Sequence, residues 1–414
     1  MAKVMLPQLA WHGIKEDEFP LPDRWQVEMC DMAGGNKPAL DPAGIRAALA
    51  SPIGTKPLRE LARGKKEVVI IFDDMSRVTR AYEIVPHVLA ELAEAGIGDK
   101  QVRFVCALGC HGSLSRLDFV KKLGEDVLRR FPVYNHNPFG NCVVVGHTKT
   151  YKTEVSVNDE VMRCDLKIAI GGTVPHPMSG FGGGGKIILP GVTSFHTTQH
   201  NHHNTYHDIA AMRGKLGMGL FDENPLRFDV EEAAELAGLD FMVNVLFNKW
   251  GETVVIFAGA LKPAYAASVA EAKKHYLTPR ARDKDIVIVN SFIKGNEAFL
   301  GPGVGYTAIG QKGGDVVLIA NEPYGQVVHY LLGPFGENSF GPESQRGTVP
   351  PHVKRLIVYT EYPDLAGHNW YPKSDKVMSV HKWDDVLKIL EADYPGAASI
   401  AVFPSSEIQY TPRQ

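Results

Sequence analysis

No run of about 18 apolar residues, the length a helix needs to cross a bilayer, occurs anywhere in the 414-residue chain. The opening segment MAKVMLPQLAWHGIKEDEF meets acidic residues before any long apolar stretch, so no export signal is expected and the protein reads as cytoplasmic. Charge of one sign is lacking too. Lys and Arg number 44 against 47 Asp and Glu, and the formal charge of -3 is dispersed. That balance gives no electrostatic footprint for nucleic acid or an anionic membrane, and a small-molecule partner is favoured. Cysteine is scarce: Cys30, Cys106, Cys110, Cys142 and Cys164 are an odd number without a C-x-x-C pair. A disulfide framework and a structural zinc ribbon are thereby excluded, and free thiols in a reducing compartment are expected. Cys106 and Cys110 lie near His111, where the bland reading is a pair of small buried hydrophobes.

What the chain does have is length, and a size beyond one ordinary core predicts two domains. The expected architecture is two α/β domains with largely parallel sheets and a cleft between them, divided as 1–275 and 276–414. The run EVVIIF from Glu67 to Phe72 is apolar past its first residue, as a strand buried on both faces requires. It ends in Asp73 and Asp74. A helical pattern over Tyr82 to Ala95, a stop at Gly96 and the strand Val102 to Leu108 complete a βαβ unit. A further strand, Asp165 to Ile170, runs into GGTVPHPMSGFGGGGK. Ligands of open α/β sheets sit beyond the carboxyl ends of strands, and three strand ends here carry polar loops. A second series is expected at Asp285 to Asn290, Asp315 to Ala320, Arg355 to Tyr359 and Ser399 to Phe403, with a long loop over Gly333 to Pro351.

The segment GFGGGGK, Gly180 to Lys186, fits G-x-x-x-x-G-K, whose glycines let backbone N–H groups approach an anion. Ile187 stands where a triphosphate-binding loop needs Ser or Thr for magnesium, and Pro190 stops any helix within a turn. The reading is a phosphate cradle at Gly182, Gly183, Gly184 and Gly185 without triphosphate chemistry, against a bland hinge with a solvated Lys186.

Histidines number 16. His111 and His176 follow strand ends near the glycine loop and are candidates for proton transfer near neutral pH. His196 with His200, and His203 with His207, are spaced four apart, as metal ligands on one helix face are. A zinc hydrolase is therefore an alternative, although no H-E-x-x-H is present. Another alternative is a non-catalytic protein that only holds a phosphate or nucleotide. Arg77, just past a buried strand, suits a bidentate clamp on a carboxylate. Asp74 before it suits ribose hydroxyls, as acidic residues do in dinucleotide folds.

Taken together, DDMSRVTR, ALGCHGSLS, PHPMSGFGGGGKIILPGV, the Asn201-His202 pair, FMVNVLFN and NSFIKGNEAF resemble the nickel-pincer lactate racemase family, in the same order from about residue 65 to residue 330. The resemblance implies a nickel-pincer nucleotide: a pyridinium-3-thioamide-5-thiocarboxylic acid mononucleotide that binds nickel and is joined to Lys186. It implies His202 as the protein's nickel ligand, Asp74 at the ribose, and the glycine-loop amides near the phosphate. His111 and His176 would be the two acid/base histidines on opposite sides of a 2-hydroxy acid, with Arg77 near its carboxylate.

The implied reaction is racemisation or epimerisation at C2 by hydride transfer through a 2-keto acid, the C-terminal domain closing over the substrate. Removing that hydrogen as a proton is difficult beside an ionised carboxylate, whereas an electron-poor ring accepts it as hydride. Cofactor-making enzymes would be needed as maturation partners. The family offers Gln and Lys where this chain has Lys294 and Glu297, and Gly112 follows His111. These departures suggest a larger or more polar substrate than lactate.

Overall fold

The computed structural model describes residues 2–207, 214–340 and 348–411. The chain divides into two compact units, one of Lys37–Asn248 with Glu252–Lys274, the other of Met1–Asn36, Lys249–Gly251 and His275–Gln414.

The first unit is built on six strands. The apolar runs are Val68–Asp73, Val102–Ala107, Leu166–Gly172 and Phe241–Phe247, joined by the edge strands Val133–Asn135 and Thr253–Gly259. Every residue of Val68–Asp73, Leu166–Gly172 and Phe241–Phe247 is buried, as expected of strands covered on both faces. The earliest strand lies mid-sheet, with the second and third to one side and the fourth, fifth and sixth to the other. All pairings are parallel except that of the last edge strand. This is the strand order of doubly wound dinucleotide-binding sheets, whose ligand crevice opens where the order reverses. Here that point falls between Val68–Asp73 and Leu166–Gly172, the strands that lead to Asp74 and to the glycine loop.

The second unit holds a fully parallel sheet in the spatial order Val377–Val380, Val353–Tyr359, Gly314–Ile319, Ile286–Asn290, Ser399–Phe403, Gln26–Met29. Its outermost strand comes from the N-terminus. The first 36 residues thus belong with the C-terminal sheet, a difference from the continuous 1–275 domain that the sequence suggested. The reason is apolar burial: Val4, Leu6, Phe19, Leu21 and Trp25 join the core of Ile286, Ile288, Ile357 and Val402, at roughly 1.5–3 kcal/mol for each large side chain removed from water. Trp383 Nε1 donates to the Pro20 carbonyl at 2.9 Å across that contact. The long loop expected over Gly333 to Pro351 instead opens with the helix Gly333–Phe340.

Candidate functional site

At the reversal point of the first sheet, the chain leaves Asp73 and makes a tight turn through Asp74, Ser76 and Arg77. Lys122 holds that turn from behind. Its side chain is fully buried, with Nζ 2.7 Å from an Asp73 carboxylate oxygen and donating to the carbonyls of Asp74 at 2.9 Å and Arg77 at 2.8 Å. Three oxygens thus satisfy one ammonium, which is the condition under which a buried charge is stable. The helix Arg116–Leu123 aims it there, its start fixed by a reciprocal cap in which Ser115 and Asp118 bond each other's backbone N–H. The other Asp73 oxygen accepts from Thr79 Oγ1 at 2.5 Å and from Gly172 N at 2.9 Å, tying the two central strands together where they end.

Asp74 is buried, and its carboxylate is occupied by protein groups. One oxygen accepts from Ser76 N at 3.0 Å and from the Ser76 hydroxyl; the other meets His111 Nδ1. Burial alone would raise the carboxyl pKa, but the His111 charge and hydrogen bond, the Arg77 guanidinium and the Ser76 hydroxyl outweigh it and hold Asp74 well below the usual carboxylate range. Asp74, which the sequence suggested for ribose hydroxyls, is thus in contact with His111 and Ser76. Arg77 directs one guanidinium nitrogen to the Ser76 carbonyl at 2.8 Å and the Ser76 hydroxyl at 2.7 Å, which braces the same turn.

His176 sits in the short hairpin formed by Pro175–His176 and Gly180–Phe181. Its Nδ1 accepts from the backbone N–H groups of Met178 and Ser179, both at 3.2 Å.

The glycine loop that follows is packed from outside. Arg227 and Tyr265, both essentially fully buried, donate to the Gly183 carbonyl at 2.9 Å and the Gly182 carbonyl at 2.8 Å. The amide of Gly182 goes to the Val174 carbonyl at 2.7 Å. Those of Gly184 and Gly185 face Asn244 Oδ1 at 3.3 Å and Glu231 Oε1 at 3.4 Å. Three of the four amides expected to cradle a phosphate thus meet protein acceptors in this structure. Gly184 is also closely packed: a Cβ there, where φ is +60°, would lie 2.2 Å from Arg227 Nη2 and 2.6 Å from the Tyr265 ring. What this tight turn delivers is Lys186, half-buried, at the end of the single helical turn Gly184–Ile187.

The Lys186 ammonium lies within electrostatic reach of His202. His202 lies in the helix Phe195–His207, is buried, and donates from Nδ1 to the Thr198 carbonyl at 2.9 Å, so its Nε2 carries the lone pair. Burial first, and the Lys186 ammonium second, push its pKa down to about 4, so the ring is neutral at physiological pH. A neutral imidazole whose other nitrogen is fixed by a carbonyl is the usual form of a metal-binding histidine. The neighbouring Asn201 donates to Asp229 at 2.7 Å, and Asp229, on the helix Pro225–Leu236, also accepts from Thr148 and Thr153. This network fixes the turn that bears His202.

His196, His200 and His203 are exposed, the side chain of His207 lies outside the described residues, and among the described residues no three His, Cys, Asp or Glu side chains converge. Cys106 and Cys110 are buried free thiols; burial pushes Cys110 up to about 12 and Cys106 well above its ordinary value, so both stay protonated.

Lys294 and Glu297 belong to the second unit, in the turn after Ile286–Asn290. Both are buried and paired with each other at 2.6 Å. Glu407, following Ser399–Phe403, accepts from Lys294 N and from Ser291 Oγ, both at 2.9 Å. Burial raises its carboxyl pKa. The two residues that the sequence suggested for substrate binding lie at that sheet's own reversal point.

The lactate racemase N-terminal domain model matches residues 12–214. The lactate racemase of Thermoanaerobacterium thermosaccharolyticum is 31% identical over 295 residues, 70% of this chain and 67% of that protein. That of Lactiplantibacillus plantarum is 30% identical over 246 residues, 59% of this chain and 56% of that protein. Among solved structures, the lactate racemase apoprotein from T. thermosaccharolyticum superposes with a TM-score of 0.75 at 24% identity, covering all of both chains. A Thermotoga maritima protein does so at 0.66 and 19% identity, covering 90% of this chain and 98% of that one. The likenesses to solved structures establish the two-sheet α/β fold; the sequence relatives add that this is an enzyme of the isomerase class, a racemase. The chain belongs to the lactate racemase family.

Proposed function

We propose that the protein inverts the configuration at C2 of a 2-hydroxy acid by reversible hydride transfer through a 2-keto acid, using a nickel-pincer nucleotide carried on Lys186. The observation that carries this reading is His202: a buried, neutral imidazole whose Nδ1 is fixed by the Thr198 carbonyl and whose remaining lone pair is on Nε2, within electrostatic reach of the Lys186 amine. Those residues fit the group. When bound, it supplies an electron-poor ring for hydride and a nickel ion of soft-ligand preference that one imidazole completes.

The chain's own residues do the rest. His111, oriented by Asp74, holds or releases the proton of the substrate hydroxyl at Nε2, and His176 addresses that oxygen from its own Nε2. Arg77 supplies positive charge for the substrate carboxylate. The glycine loop contributes a rigid, close-packed turn that fixes the Lys186 backbone. That the two sequence relatives are named for lactate supports a 2-hydroxy acid, and Gly112 beside His111 favours one bulkier than lactate.

The test is expression together with the cofactor-making enzymes, followed by intact mass, metal analysis and a panel of C2-deuterated 2-hydroxy acids. The expected result is an adduct on Lys186, bound nickel, and optical inversion with the deuterium retained. Wash-out of deuterium into water would overturn the hydride step. Stoichiometric zinc without an adduct would favour a hydrolase, and a bound nucleotide without inversion a non-catalytic role.

A further inference from the structure

The two histidines assigned to proton handling face opposite hydrogen-bonding environments at the same ring atom. His111 Nδ1 meets the Asp74 carboxylate, and an ionised carboxylate can only accept. Nδ1 therefore bears a proton, and in the neutral ring Nε2 bears the lone pair. His176 Nδ1 meets two backbone N–H groups, those of Met178 and Ser179, at 3.2 Å each, and an amide N–H can only donate. Its Nδ1 is therefore the acceptor, and the neutral ring bears its proton on Nε2.

The frame around His176 makes this assignment firm. Asn224 Nδ2 donates to the Met178 carbonyl at 2.7 Å, and Asn224 is itself fully buried. Gly219 N donates to the Gly180 carbonyl at 3.0 Å, and the Ser179 hydroxyl, also buried, donates to the Phe181 carbonyl at 3.0 Å. Gly180 has a φ of +73° and runs so close to Leu220 that a Cβ would lie 2.2 Å from its carbonyl oxygen. The peptide plane that presents the Ser179 N–H is thus held through its Met178 carbonyl, and the residues that follow it are closely packed. Placing a proton on His176 Nδ1 would set an N–H against two backbone N–H groups, one of them in a peptide that Asn224 holds in place.

We infer that the two imidazoles are not interchangeable: in this hairpin conformation His111 is the proton acceptor at Nε2, and His176 is a hydrogen-bond donor from Nε2 to the substrate oxygen. A neutral imidazole N–H of this kind polarises a carbonyl or steadies an alkoxide without giving up its proton. For His176 to take or deliver a proton at Nε2, its two backbone contacts must first be exchanged, so the half-reaction at His111 is served by the resting hairpin and the half-reaction at His176 requires it to rearrange, whichever hand is the starting substrate. When the substrates are true enantiomers the equilibrium constant is one, so kcat/KM is equal in both directions and cannot reveal the difference. The rings themselves must be observed.

This inference rests on the proposed roles of both histidines in the reaction, but its test does not. The full unloaded chain, with nitrogen-15 in its histidines, is examined by long-range proton–nitrogen correlation at about pH 8, above the ordinary imidazole range. His111 and His176 are assigned by the signals lost in His111→Gln and His176→Gln, with His111→Asn and His176→Asn as replacements if either fails to fold. The expected result is an Nδ1–H tautomer at His111 and an Nε2–H tautomer at His176. The same tautomer at both, the reverse pairing, or an imidazolium at either ring overturns the inference. Inversion assays on the loaded enzyme test the functional reading separately, since neither result fixes the other.

Discussion

Lys122 holds its buried ammonium 2.7 Å from the Asp73 carboxylate, directly behind the turn that carries Asp74 and Arg77. Removing the ammonium leaves an uncompensated buried carboxylate and two carbonyls without a donor. Lys122→Met is expected to lower stability by about 3–5 kcal/mol in urea unfolding. In the double variant Lys122→Met/Asp73→Asn, the loss is expected to be smaller than the sum of the single losses. A change below about 1 kcal/mol for Lys122→Met would show that the ammonium is not the brace described.

Asp74 is held ionised by His111, Arg77 and Ser76. Its folded-state pKa lies below the unfolded value, so its contribution to stability is present above the unfolded pKa of about 3.9 and is lost as pH falls through the folded one. The stability gap between the native chain and Asp74→Asn should be largest near neutrality and narrow on acidification below about pH 4. In the loaded enzyme, the same variant should lower kcat by about 10²–10⁴-fold, because the His111 tautomer loses its orienting carboxylate.

His202 acts in the same direction with pH as Asp74, but over a higher range. Its pKa is pushed down to about 4, so between that value and the unfolded value of about 6.5 the unfolded chain binds a proton that the folded chain refuses. Stability attributable to His202 is full above that window and falls as pH drops through it. In His202→Ala the slope of stability against pH over that window should be shallower. Metal analysis of the same variant, matured with the cofactor-making enzymes, should show nickel lost while the mass adduct on Lys186 remains; nickel retained at full occupancy would remove His202 as its ligand.

Gly184 and Gly182 make a matched pair. Gly184→Ala forces a methyl into Arg227 and Tyr265 at positive φ, whereas the nearest atoms to a Cβ on Gly182 lie at an ordinary 3.6 Å. Gly184→Ala is expected to destabilise by about 2 kcal/mol or more and to reduce the yield of Lys186 adduct, with Gly182→Ala near the parent in both. Equal effects would mean that the glycines do not act through packing.

The buried strands were legible because a parallel sheet covered on both faces leaves an unbroken apolar run, and VVIIF and DIVIVN are such runs. Gln26–Met29 was not: as an edge strand with mostly exposed side chains, QVEM carries no pattern that distinguishes it from a loop. The chemistry-bearing residues stood out by type and order, since Lys after four glycines and an Asn-His pair are uncommon. Their supports did not. Lys122 reads as a solvated helix lysine like Lys121, and only the turn 45 and 48 residues away decides which is buried. The bonds that two glycine amides make were not legible either, because their acceptors Asn244 and Glu231 lie 60 and 46 residues downstream.

The pairing of Gln26–Met29 with Ser399–Phe403 has a consequence for biosynthesis. One sheet joins a strand made before the intervening unit to one made well after it, so its assembly waits until that unit has been synthesised. The intervening unit, with Asp74, His111, His176, Lys186 and His202, needs nothing from that sheet's closing strand for its own pairings. The residues that would receive the cofactor therefore have their scaffold while the partner sheet still lacks an edge.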